Sequence, residues 1–163
     1  MEIDKASLLG SPLSAGEALD KAWEEWIKDM ERAAERLRDI GAQDALILLR
    51  ASFGAPRVQH LLRTSLSMDH PGLDRFDEVQ RSALSAASNA ILSDSQWTQA
   101  SLPVKHGGLG LRRVATLAQP SFLASSIGST PLQEALLERC ECSVDPHVEI
   151  QSSSWSSRFG TTP

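Results

Sequence analysis

Apolar side chains recur at steps of three and four residues along much of the chain, the periodicity of helices that bury one face. The first such stretch opens with Ser14 and Glu17 in a Ser-x-x-Glu capping box and ends at Gly41. Its stripe contains Leu19, Trp23, Trp26, Ile27, Met30, Ala33, Ala34 and Leu37. We therefore predict a long first helix whose tryptophans pack in the core, with a charged outer face.

Shorter periodic segments follow, separated by residues that break helices. A second helix is predicted from Asp44, as N-cap, to Phe53, because Gly54 and Pro56 follow it. A short third helix is predicted after Pro56.

The periodicity continues in the second half of the chain. A helix is predicted from Pro71 to about Ile91, and Ser93 is predicted to cap a short turn that contains Trp97. Residues 114–118 and 120–127 are helical in pattern, with Pro120 either starting a new helix or kinking one. Residues 131–140 can add another helix. The fold class predicted is mainly α, an irregular multi-helix bundle with one Gly-rich extended connection.

That connection is residues 102–113, LPVKHGGLGLRR, where the pattern changes parity. Leu102 and Val104 alternate with polar residues on even numbers, as in an extended strand, whereas Leu109 and Leu111 alternate on odd numbers. A bulge or tight turn is expected between the two pairs.

Glycines stand where the parity changes. Gly107, Gly108 and Gly110 are predicted to have a structural role, because glycine accepts positive φ and allows close backbone approach. No Gly-Lys-Ser/Thr follows them, so a nucleotide phosphate loop is disfavoured.

Composition narrows the class of protein. The 163 residues suit one domain, no run of about 18 apolar residues predicts a membrane span, and the start lacks the pattern of a secretory signal. Cys140 and Cys142 with His147 supply too few ligands for structural zinc, so no metal or cofactor is expected. So few cysteines favour a reducing, intracellular location, cytoplasmic or nuclear.

The net charge of −5 argues against a free-standing nucleic-acid-binding domain, but the charge is unevenly distributed. Residues 45–68 and residues 95–130 each contain three basic and no acidic residues. Their cationic side chains are candidates for contacts with nucleic-acid phosphates, and the competing interpretation is that each is simply a solvated surface residue. The candidates are Arg50, Arg57, Arg63, Lys105, His106, Arg112 and Arg113.

The same acid-free segments carry a family resemblance. QASLPVKHGGLGLRRVATLAQPSFLASS, residues 99–126, resembles a segment that follows the polymerase core in reverse transcriptases of non-LTR retrotransposons and related mobile elements. LLGSPL, residues 8–13, resembles the strand and turn at the end of the palm, and LLRASFGAPRVQHLLRT, residues 48–64, resembles a helical thumb segment. The resemblance implies a palm remnant at residues 1–13 and a thumb-like helical domain at 14–140. Composition adds a Ser-rich, disordered tail at 141–163.

The polymerase machinery of that family is missing from this sequence. Reverse transcriptases hold two divalent metals with palm aspartates, including a Tyr-x-Asp-Asp box, and this chain has no Tyr and no Asp-Asp pair. The resemblance therefore implies a post-palm fragment, catalytically inert alone, that would help to hold RNA or an RNA–DNA duplex by its backbone. Two alternatives remain: a helical interaction domain that docks a protein through its first helix, or an element relic with no selected function.

Overall fold

A computed structural model describes residues 7–12, 15–137 and 145–163 of the protein. Its helices confirm the mainly α fold. The elements are β1 Ser7–Leu8, β2 Ser11–Pro12, α1 Glu17–Leu37, α2 Ala42–Leu48, α3 Ala55–Thr64, α4 Pro71–Ser88, α5 Asp94–Ser101, α6 Val114–Leu136 and α7 Pro146–Phe159. A π-helical turn, Leu49–Phe53, joins α2 to α3, and a 3-10 turn, Val104–His106, follows α5.

The core lies where α1 packs on α4 and α3 packs on α6. Trp23 of α1 is its largest fully buried side chain, and it meets Phe76 of α4 edge to face at 6.3 Å between ring centroids. The indole N–H of Trp23 donates a hydrogen bond of 3.2 Å to the hydroxyl of Ser67, so the ring's polar group is satisfied inside the core. Burial of Trp23 confirms its predicted core role, whereas Trp26, for which the same role is predicted, is only half-buried and packs against the core from its edge.

Two predicted helix starts differ from the observed ones. The N-cap of α1 is Gly16, and Ser14 lies outside the described residues. The prediction of Asp44 as the N-cap of the second helix is wrong, because Gly41 takes the non-helical cap conformation and Asp44 lies in the first turn. A carboxylate is favourable there too, since it faces the positive end of the helix dipole.

The boundaries around α5 follow capping chemistry. Ser93 forms the predicted N-cap, and its hydroxyl accepts from the N–H of Gln96 while the Gln96 amide oxygen accepts from the N–H of Ser93. The preceding helix stops earlier than its apolar pattern predicts, because Asn89 adopts a left-handed conformation with φ 50°. Ile91 consequently lies outside α4 and is 98% exposed.

Helix α6 settles the ambiguity at Pro120. A single helix runs through both Pro120 and Pro131, so neither proline starts a separate element. The first turn of α6 is capped by the carboxylate of Asp77, which belongs to α4. Sequence periodicity does not predict this contact.

The expectation of disorder over residues 141–163 is wrong for the described part of that tail. Asp145 caps α7 by accepting a hydrogen bond from the N–H of His147, and Pro146 occupies the first turn, where no N–H is needed. The helix is held against α6 by Gln119, whose amide donates to the side chain of Gln151 at 3.1 Å. A tertiary contact thus compensates for a weakly apolar sequence.

The chain start forms a small antiparallel hairpin, in which Ser7 pairs with Pro12. Its tight turn uses positive φ at Leu9 and Gly10. The hydroxyl of Thr64 donates to that of Ser11 at 2.7 Å and ties the hairpin to α3. Within the described ranges, no helix is both long and apolar enough to cross a membrane.

Candidate nucleic-acid interface

The π-helical turn between α2 and α3 carries Arg50. Such turns are rare and are often found at functional sites. This one ends at Gly54, whose N–H donates to the carbonyl of Leu49 at 2.8 Å. A Cβ at Gly54 would lie 2.7 Å from that carbonyl oxygen and 2.8 Å from the amide nitrogen of Gln80. Glycine is therefore required for the turn to close against α4.

The Gly-rich connection is more compact than the sequence predicts. Val104 to His106 form a 3-10 turn, so the prediction of an extended strand is wrong there. The physical reason is the hydrogen bonding of the following residues: the N–H groups of Leu109 and Leu111 both donate to the carbonyl of Ala100, folding the segment back on the end of α5.

The apolar residues of the connection are not buried as the predicted parity change suggests. Leu111 is fully buried, whereas Leu109 is 39% exposed, so the two do not share one apolar face. Leu102 and Val104 are likewise partly exposed. The segment contributes one side chain, Leu111, to the core and leaves the rest at the surface.

The three glycines explain why this turn fits. Gly107 and Gly110 have φ of +80° and +76°, values that other residues rarely adopt. Gly108 has ordinary φ, but a Cβ there would lie 2.0 Å from the carbonyl oxygen of Leu102. Close backbone approach is thus the constraint at Gly108, and positive φ is the constraint at the other two.

The connection brings Arg112 to the π-helical turn. The side chain of Arg50 passes over Gly110, where a Cβ would come within 3.0 Å of the Arg50 Cδ. Arg50 and Arg112 then line one groove of about 380 Å³, which we call the Arg50–Arg112 groove. The other described residues lining it are Ala55, Pro56, Gln59, Gln80, Leu117 and Ser121, none of them acidic.

Arg57 and Arg63, which are also candidates for phosphate contacts, lie elsewhere. The guanidinium of Arg57 stands over the Trp26 ring, 5.2 Å from its centroid, and 3.7 Å from the carboxylate of Asp29. Arg63 lines a separate groove together with Glu134 and other residues of α6. The structure therefore does not gather all the candidate arginines on one surface.

Arg113 has a different neighbour. Its Nε lies 3.6 Å from a carboxylate oxygen of Asp77, which is buried in α4. Lys105 and His106 are exposed on the 3-10 turn, and neither lines the Arg50–Arg112 groove. Of the seven cationic candidates, the structure brings only Arg50 and Arg112 to this groove.

Asp77 is a buried acidic residue that the sequence analysis does not identify. Its carboxylate accepts hydrogen bonds from the N–H of Val114 at 2.7 Å and the N–H of Ala115 at 3.3 Å, so it caps α6 from another helix. Burial raises the pKa of Asp77 from 3.8 to about 6, against the lowering effects of the two backbone hydrogen bonds and of Arg113.

Gln80 is another buried polar residue of α4 that the sequence analysis does not identify. It is fully buried, and it follows Phe76 and Asp77 at helical spacing. A signal was present in the sequence, because both polar residues fall at steps of three or four from apolar members of the α4 stripe. Polar residues at such positions indicate either a buried polar interaction or a site.

No cluster of three or more His, Cys, Asp or Glu suited to a metal occurs among the described residues. Cys140 and Cys142 lie outside them. Comparison with known proteins found no matching family model, no matching curated protein and no matching solved structure.

Proposed function

We propose that this chain binds the sugar–phosphate backbone of nucleic acid at the Arg50–Arg112 groove, without reading sequence and without catalysing a reaction. The observation that carries the proposal is the meeting of two arginines, from separate acid-free segments, in one groove whose described lining contains no carboxylate. Guanidinium groups bind phosphate oxygens through charge-assisted and often bidentate hydrogen bonds.

The neighbouring charges support assigning the role to these two arginines. Arg57 and Arg113 already have the carboxylates of Asp29 and Asp77 beside them, so phosphate contacts there would compete with intramolecular pairs. The net charge of −5 opposes long-range attraction of a polyanion. Binding is therefore expected to be weak, tolerant of sequence and sensitive to salt.

The resemblance to the post-palm region of mobile-element reverse transcriptases supports an RNA–DNA duplex as the nucleic acid. Backbone contacts position a duplex without reading its bases, which suits a region that holds a template and primer. In this proposal the chain supplies part of such a holding surface and no metal-binding aspartates.

The competing proposal, a protein-docking domain that uses the first helix, has less support. The apolar stripe of α1 packs in the core. Among the described residues, no large apolar side chain of α1 is exposed. Exposed apolar groups lie after it instead, at Ile40, Ile47 and Leu48.

Titration of a labelled RNA–DNA duplex at low salt tests the proposal. Arg50→Ala/Arg112→Ala should weaken binding by about tenfold or more, and to the same extent for duplexes of different sequence. Both arginines are exposed, so the fold should survive the change.

Arg38→Ala/Arg75→Ala is the matched control. It removes the same charge from two exposed arginines that line another groove, between α1 and α4. Control affinity close to that of the wild type supports the proposal. Equal affinity of both double variants, or no binding by the wild type, would contradict it.

A further inference from the structure

Gln80 is one of the residues that line the Arg50–Arg112 groove. It is 0% exposed, and neither its amide nitrogen nor its oxygen has a hydrogen-bond partner among the described residues. Leaving a buried polar group unpaired costs about 1–3 kcal/mol, so an apolar residue of similar size would suit a purely structural role better. The position therefore holds a donor and an acceptor that the fold itself does not use.

The groove is also larger than phosphate recognition requires. Its volume of about 380 Å³ falls within the range of roughly 300–1,000 Å³ typical of small-molecule sites. One phosphate on Arg50 and Arg112 would leave most of that space open. The remaining lining combines apolar groups from Ala55, Pro56 and Leu117 with the Gln80 amide.

We propose that the Arg50–Arg112 groove accommodates one whole unpaired nucleotide, with its phosphate on the two arginines and its base edge on the Gln80 amide, whose buried side chain turns into the groove on binding. This inference rests on the proposed function, because it assigns phosphate to the same arginines. It adds a base-binding element and a substrate class, a nucleotide outside the paired duplex.

The chemistry of the lining favours a base over other groups. Apolar side chains such as those of Pro56 and Leu117 can cover the face of a base, and a glutamine amide can donate to and accept from one base edge at once. Adenine offers the matching pair, the N7 acceptor and the N6 donor. A base paired and stacked within a duplex cannot enter such a groove, so the nucleotide must be unpaired.

Three duplexes that differ only at one end provide the test. One is blunt, one carries a single adenosine overhang, and one carries an abasic overhang with the same phosphate. The wild type should bind the adenosine overhang roughly 5- to 150-fold more tightly than the abasic one. The abasic and blunt duplexes should differ little.

Gln80→Met is the diagnostic variant, since methionine nearly matches glutamine in size and lacks the amide. It should abolish the preference for adenosine and leave the affinity for blunt duplex unchanged. Chemical denaturation should show that it unfolds at the same or higher urea concentration than the wild type. Leu117→Ala, which removes part of the apolar wall, should reduce the same preference independently.

The unpaired nucleotide can come from the end of a duplex or from a free nucleotide. Competition by free adenosine monophosphate distinguishes these two sources. Displacement of both the adenosine-overhang duplex and the blunt duplex by the free nucleotide, weaker for Gln80→Met than for the wild type, supports the site and shows that either source fills it. Binding of the blunt duplex with no preference among overhangs, or a preference retained by Gln80→Met, overturns this inference and leaves the proposed function standing. Absence of all duplex binding overturns both.

Discussion

The carboxylate of Asp77, on α4, accepts a hydrogen bond of 2.7 Å from the backbone N–H of Val114, the first residue of α6. This contact fixes where the Gly-rich connection enters α6. Arg112 stands two residues before that point, so the same contact helps to set its position at the groove. A buried ionisable group is therefore linked to the candidate site through the backbone of residues 112–114.

Stability should depend on pH through Asp77. Burial raises the pKa of Asp77 to about 6, so the folded chain holds this proton more tightly than the unfolded chain, where the pKa is near 3.8. The contribution of the protonated Asp77 side chain to the free energy of unfolding is fully present below pH 3.8 and is lost as pH rises through about 6. The loss amounts to about 3 kcal/mol, from a shift of about two pKa units.

Asp77→Asn isolates this contribution, because asparagine caps the helix through its oxygen and does not titrate. Urea denaturation from pH 4 to pH 7 should show the free energy of unfolding of the wild type falling relative to that of the variant. A constant difference between the two proteins across that range would refute the role assigned to Asp77.

The adjacent arginines should behave differently when each is replaced. Arg113→Ala removes the cation beside a buried carboxylate and should lower the free energy of unfolding at pH 7 by about 1–2 kcal/mol. Arg112→Ala removes an exposed side chain and should change it by less than about 0.5 kcal/mol. Arg112→Ala should instead lower the affinity for the duplex. Similar effects of the two substitutions on the free energy of unfolding would contradict these separate roles.

Two glycine substitutions should change the stability of the fold in opposite directions. Gly108→Ala places a methyl group against the Leu102 carbonyl and should destabilise the chain by about 2 kcal/mol or more. Gly128→Ala lies within α6 with open space around it and should stabilise by about 0.5–1 kcal/mol. Thermal unfolding of both variants checks the prediction, and a stable Gly108→Ala would mean that the turn is not closed as described.

The purified chain should show no template-dependent nucleotide incorporation with Mg²⁺ or Mn²⁺. The reason is chemical, since the sequence has no Asp-Asp pair with which to hold two metals as polymerases do. A primer-extension assay with radiolabelled nucleotide measures this directly. Incorporation above a protein-free blank would refute the prediction.

Local patterns were sufficient to predict much of the fold. The stripe of α1, the N-cap at Ser93 and the break at Gly54 are encoded within a few residues, and the structure has each of them. Errors arise where contacts outside the apolar periodicity contribute. Helix α7 contacts α6 through Gln119 and Gln151, and the segment after α5 folds back through two hydrogen bonds to the carbonyl of Ala100.

The candidate site was predicted only in part for the same reason. Charge distribution identified Arg50 and Arg112, but it could not separate them from Arg57 and Arg113, which differ only in the carboxylates packed beside them. Gln80 was missed because a single polar residue in an apolar stripe resembles an ordinary variation until its burial is known.

The salt dependence of duplex binding tests the central claim most directly. Each phosphate neutralised contributes about 0.9 to the slope of log affinity against log salt concentration. Loss of Arg50 and Arg112 together should therefore reduce the slope by about 1.8, while Arg38→Ala/Arg75→Ala leaves it unchanged. An equal slope for the wild type and Arg50→Ala/Arg112→Ala would show that these two arginines do not contact phosphate, and would contradict the account.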